Sequence, residues 1–477
     1  RLTDVTGVQT CALPILFTAN GASLHIAKNQ FEAAAKRIVD ASGCSVNFDA
    51  NIFASRHMNA GVLSFTGCTD ALIGYNRFED CTLEPGMLAV DGRESASFFF
   101  NEITGCTVET SAEEAAVTDG GVPAPIKFDK FTKIDATSNH IKNCKVKGAG
   151  APLVALIAFA EVSMVRNELR GNSGEDGRET FVFAKGRSAT IFGNRFFDNR
   201  NATLLRLASN NTVFNTNTVS RNMTPRVLFD LGGRRGVEPA VLTVMNSVIE
   251  ENGASAHFML TAIGEAGFVT NTFDGAQKVS DMDAFILAEG VEQVRLNSNK
   301  ITNVALPYFC APLVNDTKKA EWIDPGNVVP AHDTVEFSLT QNEIKGSAII
   351  LETRRESQSL KPVSWKLQSN IIGTSSMVVL PDNYGGSVSS TLRFNRFTKC
   401  DRLEFHQGGP GGRTLIDRNL FFSCPRIELF SEVANPEMDF VVISNSFETQ
   451  GALFTVRQSG EVFYWKNFYD SAVTFVD

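Results

Sequence analysis

Apolar and polar residues alternate along this chain in short runs of strand length, and the runs return at a nearly constant interval. The unit Asn-x-(Phe/Ile/Leu/Val) marks each return. With an apolar residue two positions on, Asn recurs at Asn29, Asn51, Asn76, Asn101, Asn139, Asn167, Asn194, Asn217, Asn246, Asn271, Asn299, Asn342, Asn370, Asn395, Asn419, Asn445 and Asn467, the last followed by Tyr469. Fourteen of the sixteen intervals span 22 to 29 residues. A second alternating run accompanies the unit, as in GVLSF from Gly61, FVFAKG from Phe181, VLFDLGG from Val227 and FILAEG from Phe285. Strict alternation over a few residues is the mark of a half-buried strand, so each repeat predicts two strands. A fixed period of this length points to stacked repeats rather than several globular domains.

A leucine-rich repeat has a similar period and also uses asparagine, but its Leu-x-x-Leu-x-Leu frame is mostly missing and no repeat holds a helix-length apolar pattern. The coils are therefore expected to consist of strands and turns only. From Asn29 to Tyr469 the pattern resembles the repeats of pectin-lyase-like proteins, which implies an all-β fold, a right-handed parallel β-helix of about seventeen coils. Residues 16–477 are read as one such domain. Each asparagine is expected at a turn, where its side chain tolerates left-handed backbone and bonds neighbouring amides. The apolar residue two positions later should point inward and stack on its equivalents, which accounts for much of the excess of 37 Phe over 5 Tyr.

Two intervals are long, 38 residues from Asn101 to Asn139 and 43 from Asn299 to Asn342. They predict loop insertions near 107–135 and 304–335, and long loops on a rigid scaffold often carry binding groups. The first holds Glu109, Glu113, Glu114 and Asp119, then Lys127, Lys130 and Lys133, and reads as a solvated surface loop. The second gathers Lys318, Lys319, Trp322, His332 and Asp333, with Glu321 and Asp324 among them. An aromatic plane beside acids and bases is suited to a sugar, so these five residues are the candidate binding site. Val5 to Ile15 resembles the translation of a sequencing-library adapter, so residues 1–15 are set aside as an artefact. With no visible cap at either end, the chain is expected to be a fragment of a longer solenoid, extracellular or at the cell surface.

The formal net charge of −9, without a long basic run, disfavours a nucleic-acid partner. No apolar stretch approaches the roughly 20 residues of a membrane-spanning helix. Five cysteines, Cys81, Cys106, Cys144, Cys400 and Cys424, fall five residues after a repeat asparagine, in a slot that Asn172, Asn199 and Asn222 occupy elsewhere. They read as an internal thiol ladder, with disulfides between coils as the alternative. No metal-ligand spacing occurs, and no metal or cofactor is expected. His140 takes a slot held elsewhere by Arg77, Glu102, Glu168 and Arg195, an exposed ladder of mixed charge.

Enzymes of the resembled fold give patterns to compare. The Asn-Thr-Asp, Asp-Asp and Gly-His-Gly motifs of polygalacturonase-like hydrolases are absent, and no compact acidic cluster accompanies Arg234, Arg235, Arg354 or Arg355 as in calcium-dependent lyases. The string Pro330-Ala331-His332-Asp333 lacks the first Asp of the epimerase motif. The leading expectation is a non-catalytic solenoid acting as adhesin, stalk or polysaccharide-contacting scaffold. The alternative is a polysaccharide lyase, hydrolase or epimerase whose groups converge from distant coils.

Overall fold

An asparagine side chain carries two N–H donors and a carbonyl with two lone pairs. In the computed structural model of the chain all four are used at once. Asn51 shows the pattern: its Oδ1 accepts from the backbone N (3.1 Å) and Nδ2 (3.0 Å) of Asn29, and its Nδ2 donates to Ile26 O in that coil and to Asn76 Oδ1 in the next, each at 3.0 Å. Asn139, Asn167, Asn299, Asn370 and Asn395 repeat it. An aspartate there would have no donors and would stack like charges coil upon coil. Apart from Asn246, the asparagines from Asn51 to Asn445 are buried, at 0–3% exposure, and their side chains are hydrogen-bonded. That lets a polar residue sit inside without the cost of an unmade hydrogen bond.

The structure describes residues 3–9, 17–21, 23–31, 38–54, 57–58, 62–109, 122–147, 152–175, 177–233, 239–275, 284–311, 334–353, 362–380, 387–407, 412–431, 440–448, 453–457, 462–469 and 474–476. Contacts divide the chain into two compact units. The first is Arg1–Arg234 with Asn252–Ala254, and the second comprises Arg235–Glu251, Ser255–Lys319 and Pro325–Asp477, apart from a short segment assigned to the first. Each is a parallel β-solenoid without a helix among the described residues. The described residues make about 12 turns. One coil per asparagine gave seventeen, a count that includes rungs whose following strand shrinks to two residues, Ile52–Phe53 and Phe468–Tyr469.

Complete coils hold three strands where the sequence predicted two, as in Glu179–Lys185, Ser188–Phe192 and Arg195–Phe197. In Leu63–Gly74, Leu88–Phe99, Ile126–Thr137 and Pro152–Val165 the first two fuse into one longer strand. The phenylalanines two residues after the asparagine point inward as expected. Phe31, Phe53 and Phe78 form one stack, with centroids 4.8 and 4.7 Å apart. Phe397, Phe421 and Phe447 form another, at 4.9 Å. These spacings equal the distance between neighbouring strands, so parallel stacking follows from the coil geometry.

The left-handed residue is not the asparagine, as expected, but the one before it: Tyr75, Phe100, Ser138, Ser369, Phe394 and Arg418 all have φ of 52 to 57°. Asn246 is the exception and a correction. Its own φ is 49°, and Ser247 takes the ladder slot, its N bonded to Asn271 Oδ1 at 3.0 Å. The inward residue is then Ile249, paired with Phe273, while Val248 is 36% exposed. A slip of one residue exchanges inside for outside.

The first insertion is less of a loop than its sequence suggested. Thr107–Glu109 is a strand, and Lys127, Lys130 and Lys133 lie on the strand Ile126–Thr137. Val122 and Ala124 are buried against Ala155 and Phe183, so the insertion returns as a cover over one coil face. The backbone of Thr3–Gln9 pairs in parallel with Ser23–Phe31.

Candidate functional site

The sequence-predicted binding residues Lys318, Lys319, Trp322, His332 and Asp333 lie outside the described residues, as do Glu321, Asp324, Glu113, Glu114 and Asp119. Convergence of charged side chains occurs elsewhere, on strands Arg402–Gln407 and Arg426–Ser431 of the second unit. Both carry Arg-apolar-Glu-apolar. Leu403, Phe405, Ile427 and Leu429 fill the interior, which turns the intervening residues to the outer face. Register sets Glu404 beside Glu428 and His406 beside Phe430.

Both carboxyls are nonetheless covered, at 3% exposure for Glu404 and 1% for Glu428. Arg402 bonds Glu404, and Arg426 bonds Glu428 through Nε at 2.6 Å and through Nη2. Their side chains remain half exposed, so each arginine lies over its carboxylate. His406 Nε2 is 3.8 Å from Glu404 Oε2, and its ring stacks on Phe430 at 4.3 Å. Burial holds the Glu404 pKa above the ordinary carboxyl value, reinforced by a hydrogen bond with Glu428, while Arg402 opposes the shift. Burial and the Arg402 charge push His406 down, which favours neutral imidazole. As register neighbours on one face, the two carboxyls disfavour each other's ionisation.

That arrangement is poor for glycoside chemistry. Catalytic carboxyls must stand on either side of the scissile bond, roughly 5 to 9 Å apart. Here they are side-by-side neighbours on adjacent strands of one face rather than partners across a cleft. The sequence missed this pair, although its signal was present: Arg402-Leu403-Glu404 recurs as Arg426-Ile427-Glu428 at one coil's spacing.

The cysteine slot follows the expected ladder. Cys44, Cys68, Cys81, Cys106, Cys144, Cys400 and Cys424 are buried and form no disulfide among the described residues. Cys144 Sγ lies 3.5 Å from Ile103 O, and Asn172 Nδ2 donates to Ile141 O, the equivalent carbonyl one coil on, at 3.0 Å. The thiol thus replaces the amide as donor. The Cys106 thiol is pushed up to about 12, first by its hydrogen bond with Cys144 and then by burial, which marks it as a packing group rather than a nucleophile. Among the described residues no three His, Cys, Asp or Glu side chains form a metal-holding group, and no helix is long and apolar enough to cross a membrane.

The expected mixed-charge ladder is present. Arg77, Glu102, His140, Glu168 and Arg195 are register partners in successive coils, with Arg77 Nε 3.6 Å from Glu102. The fold and these outer faces define a parallel β-solenoid with stacked coils. No family model and no curated protein matches the chain.

Proposed function

We propose that the chain is a non-catalytic solenoid, extracellular or at the cell surface, that serves as a polysaccharide-contacting scaffold. The observation that carries this reading is the Glu404–Glu428 pair. It gathers two glutamates, two arginines and a histidine on neighbouring strands, yet its carboxyls are committed to each other and to Arg402 and Arg426. Exposed rings at the turns support a sugar contact: Tyr75 and Phe100 are 56% and 51% exposed. Amphipathic ring faces are suited to sugars.

The same convergence of arginine, glutamate and histidine favours the second reading, an enzyme whose pair opens on binding. The two separate by experiment. The full chain is incubated with a panel of polysaccharides, and sedimented protein and new reducing or unsaturated ends are both measured. Retention without product supports the scaffold. Product release that disappears in Glu404→Gln would establish the enzyme.

A further inference from the structure

In the second unit, successive coils carry an unbalanced set of charges at the turn that holds the ladder asparagine. Around Asn395 the outer residues are Arg393, Phe394 and Arg396, and around Asn419 they are Asp417, Arg418 and Leu420. Around Asn445 they are Ile443, Ser444 and Ser446, and around Asn467 they are Trp465, Lys466 and Phe468. Among these positions one carboxylate faces four cations. It is Asp417, 4% exposed and bonded by Arg393 at 2.9 Å, with Arg418 Nε at 3.7 Å. Arg418 is 59% exposed.

The aromatic rings hold the cations in place. The guanidiniums of Arg393 and Arg418 lie 5.7 and 5.5 Å from the centre of Phe394, and Lys466 Nζ lies 4.2 Å from that of Trp465. Such contacts orient a cation without neutralising it. Arg418 and Lys466 occupy equivalent positions two coils apart, a spacing of roughly 9.6 Å along the stack.

We propose that this corner binds an acidic polysaccharide, a linear chain bearing carboxylate or sulfate groups, laid along the stack so that successive anions meet Arg418 and Lys466. The inference rests on the polysaccharide-contacting reading and adds the ligand class and the place of contact. A repeating anion suits two cations set at a fixed spacing along the stack, and arginine forks recognise carboxylate and sulfate oxygens. A nucleic acid fits less well. Base stacking needs open ring faces, and here cations lie over the rings.

The test uses the full chain with dextran sulfate, hyaluronate, uncharged dextran and an oligothymidylate. Binding to the two acidic polysaccharides but not to dextran is expected, weakened about tenfold or more by Arg418→Glu with Lys466→Glu. Arg418→Lys should retain most of it, and Arg77→Glu in the first unit all of it. Acidic-polysaccharide binding that survives the double reversal overturns the corner while leaving the scaffold reading intact. Tighter binding to oligothymidylate overturns the ligand class, and binding to no polysaccharide overturns both readings. Unchanged thermal unfolding in the double variant confirms that a loss is local.

Discussion

The turn before the ladder asparagine is built on the same backbone in both units and dressed differently. In the first unit Tyr75 and Phe100 stack on each other at 5.2 Å, with Phe99 edge-on to Tyr75, and nearby charge is balanced by pairs such as Arg77 with Glu102. In the second unit the rings carry cations instead, Arg393 and Arg418 over Phe394 and Lys466 over Trp465. Yet φ is 55° and 52° at Tyr75 and Phe100, and 57° and 55° at Phe394 and Arg418. The amide ladder dictates the backbone and leaves the outward side chain free. Fold and recognition are thus carried by adjacent residues: the asparagine faces in, and its predecessor faces out.

The largest effects should come from the ladder and should be equal in the two units. Asn167→Ala and Asn370→Ala each strand several buried donors and acceptors, and each should lower stability by about 3 kcal/mol or more in denaturant unfolding. A large loss in one and none in the other would break the equivalence of the two ladders. The thiol slot sharpens the point. Cys144→Ala removes a weaker donor and a small volume, so a loss of about 1 to 2 kcal/mol is expected in the same assay.

A smaller effect, confined to the second unit, is a pH dependence. Glu404 holds its proton above the ordinary carboxyl value of 4.5, chiefly through burial and then through Glu428. A carboxyl whose pKa rises on folding favours the native state while protonated. The stability it contributes is complete below about 4.5 and is lost as pH rises through the raised value. Thermal unfolding across that window should therefore decline with pH more steeply in the wild type than in Glu404→Gln. His406 is present in both proteins, so its own titration largely cancels; identical slopes would count against the raised Glu404 pKa.

The smallest effect concerns the left-handed turn. Ser369→Gly and Thr216→Gly, one in each unit at φ of 57°, relieve backbone strain against a more flexible unfolded chain. Each should change stability by less than about 1 kcal/mol and in the same direction. A loss above about 2 kcal/mol in either would mean that the side chain there does more than cover the turn.

Much of the coil was legible because its chemistry is periodic. Asn29 through Asn217 and Asn271 through Asn467 were read in register, as were Asn172, Asn199 and Asn222 in the second slot. Asn246-Ser247 misled because both residues suit a turn and both Val248 and Ile249 are apolar. The slip also hid Asn252, which lies five residues after Ser247 and accepts from Asn222 N at 2.9 Å. Glu404 and Glu428 were missed for a different reason. Their meaning depends on adjacency across one coil, and no local motif announces that. The corner charges were visible as residues, but their imbalance appears only when four coils are aligned.

The proposed contact at the corner of the second unit is electrostatic, and the salt dependence of dextran sulfate binding by the full chain tests that most directly. Affinity should fall steadily as ionic strength rises from about 0.05 to 0.5 M, because exposed cations beyond a Debye length are screened. Binding that holds constant across that range, or that is matched by uncharged dextran, would contradict it.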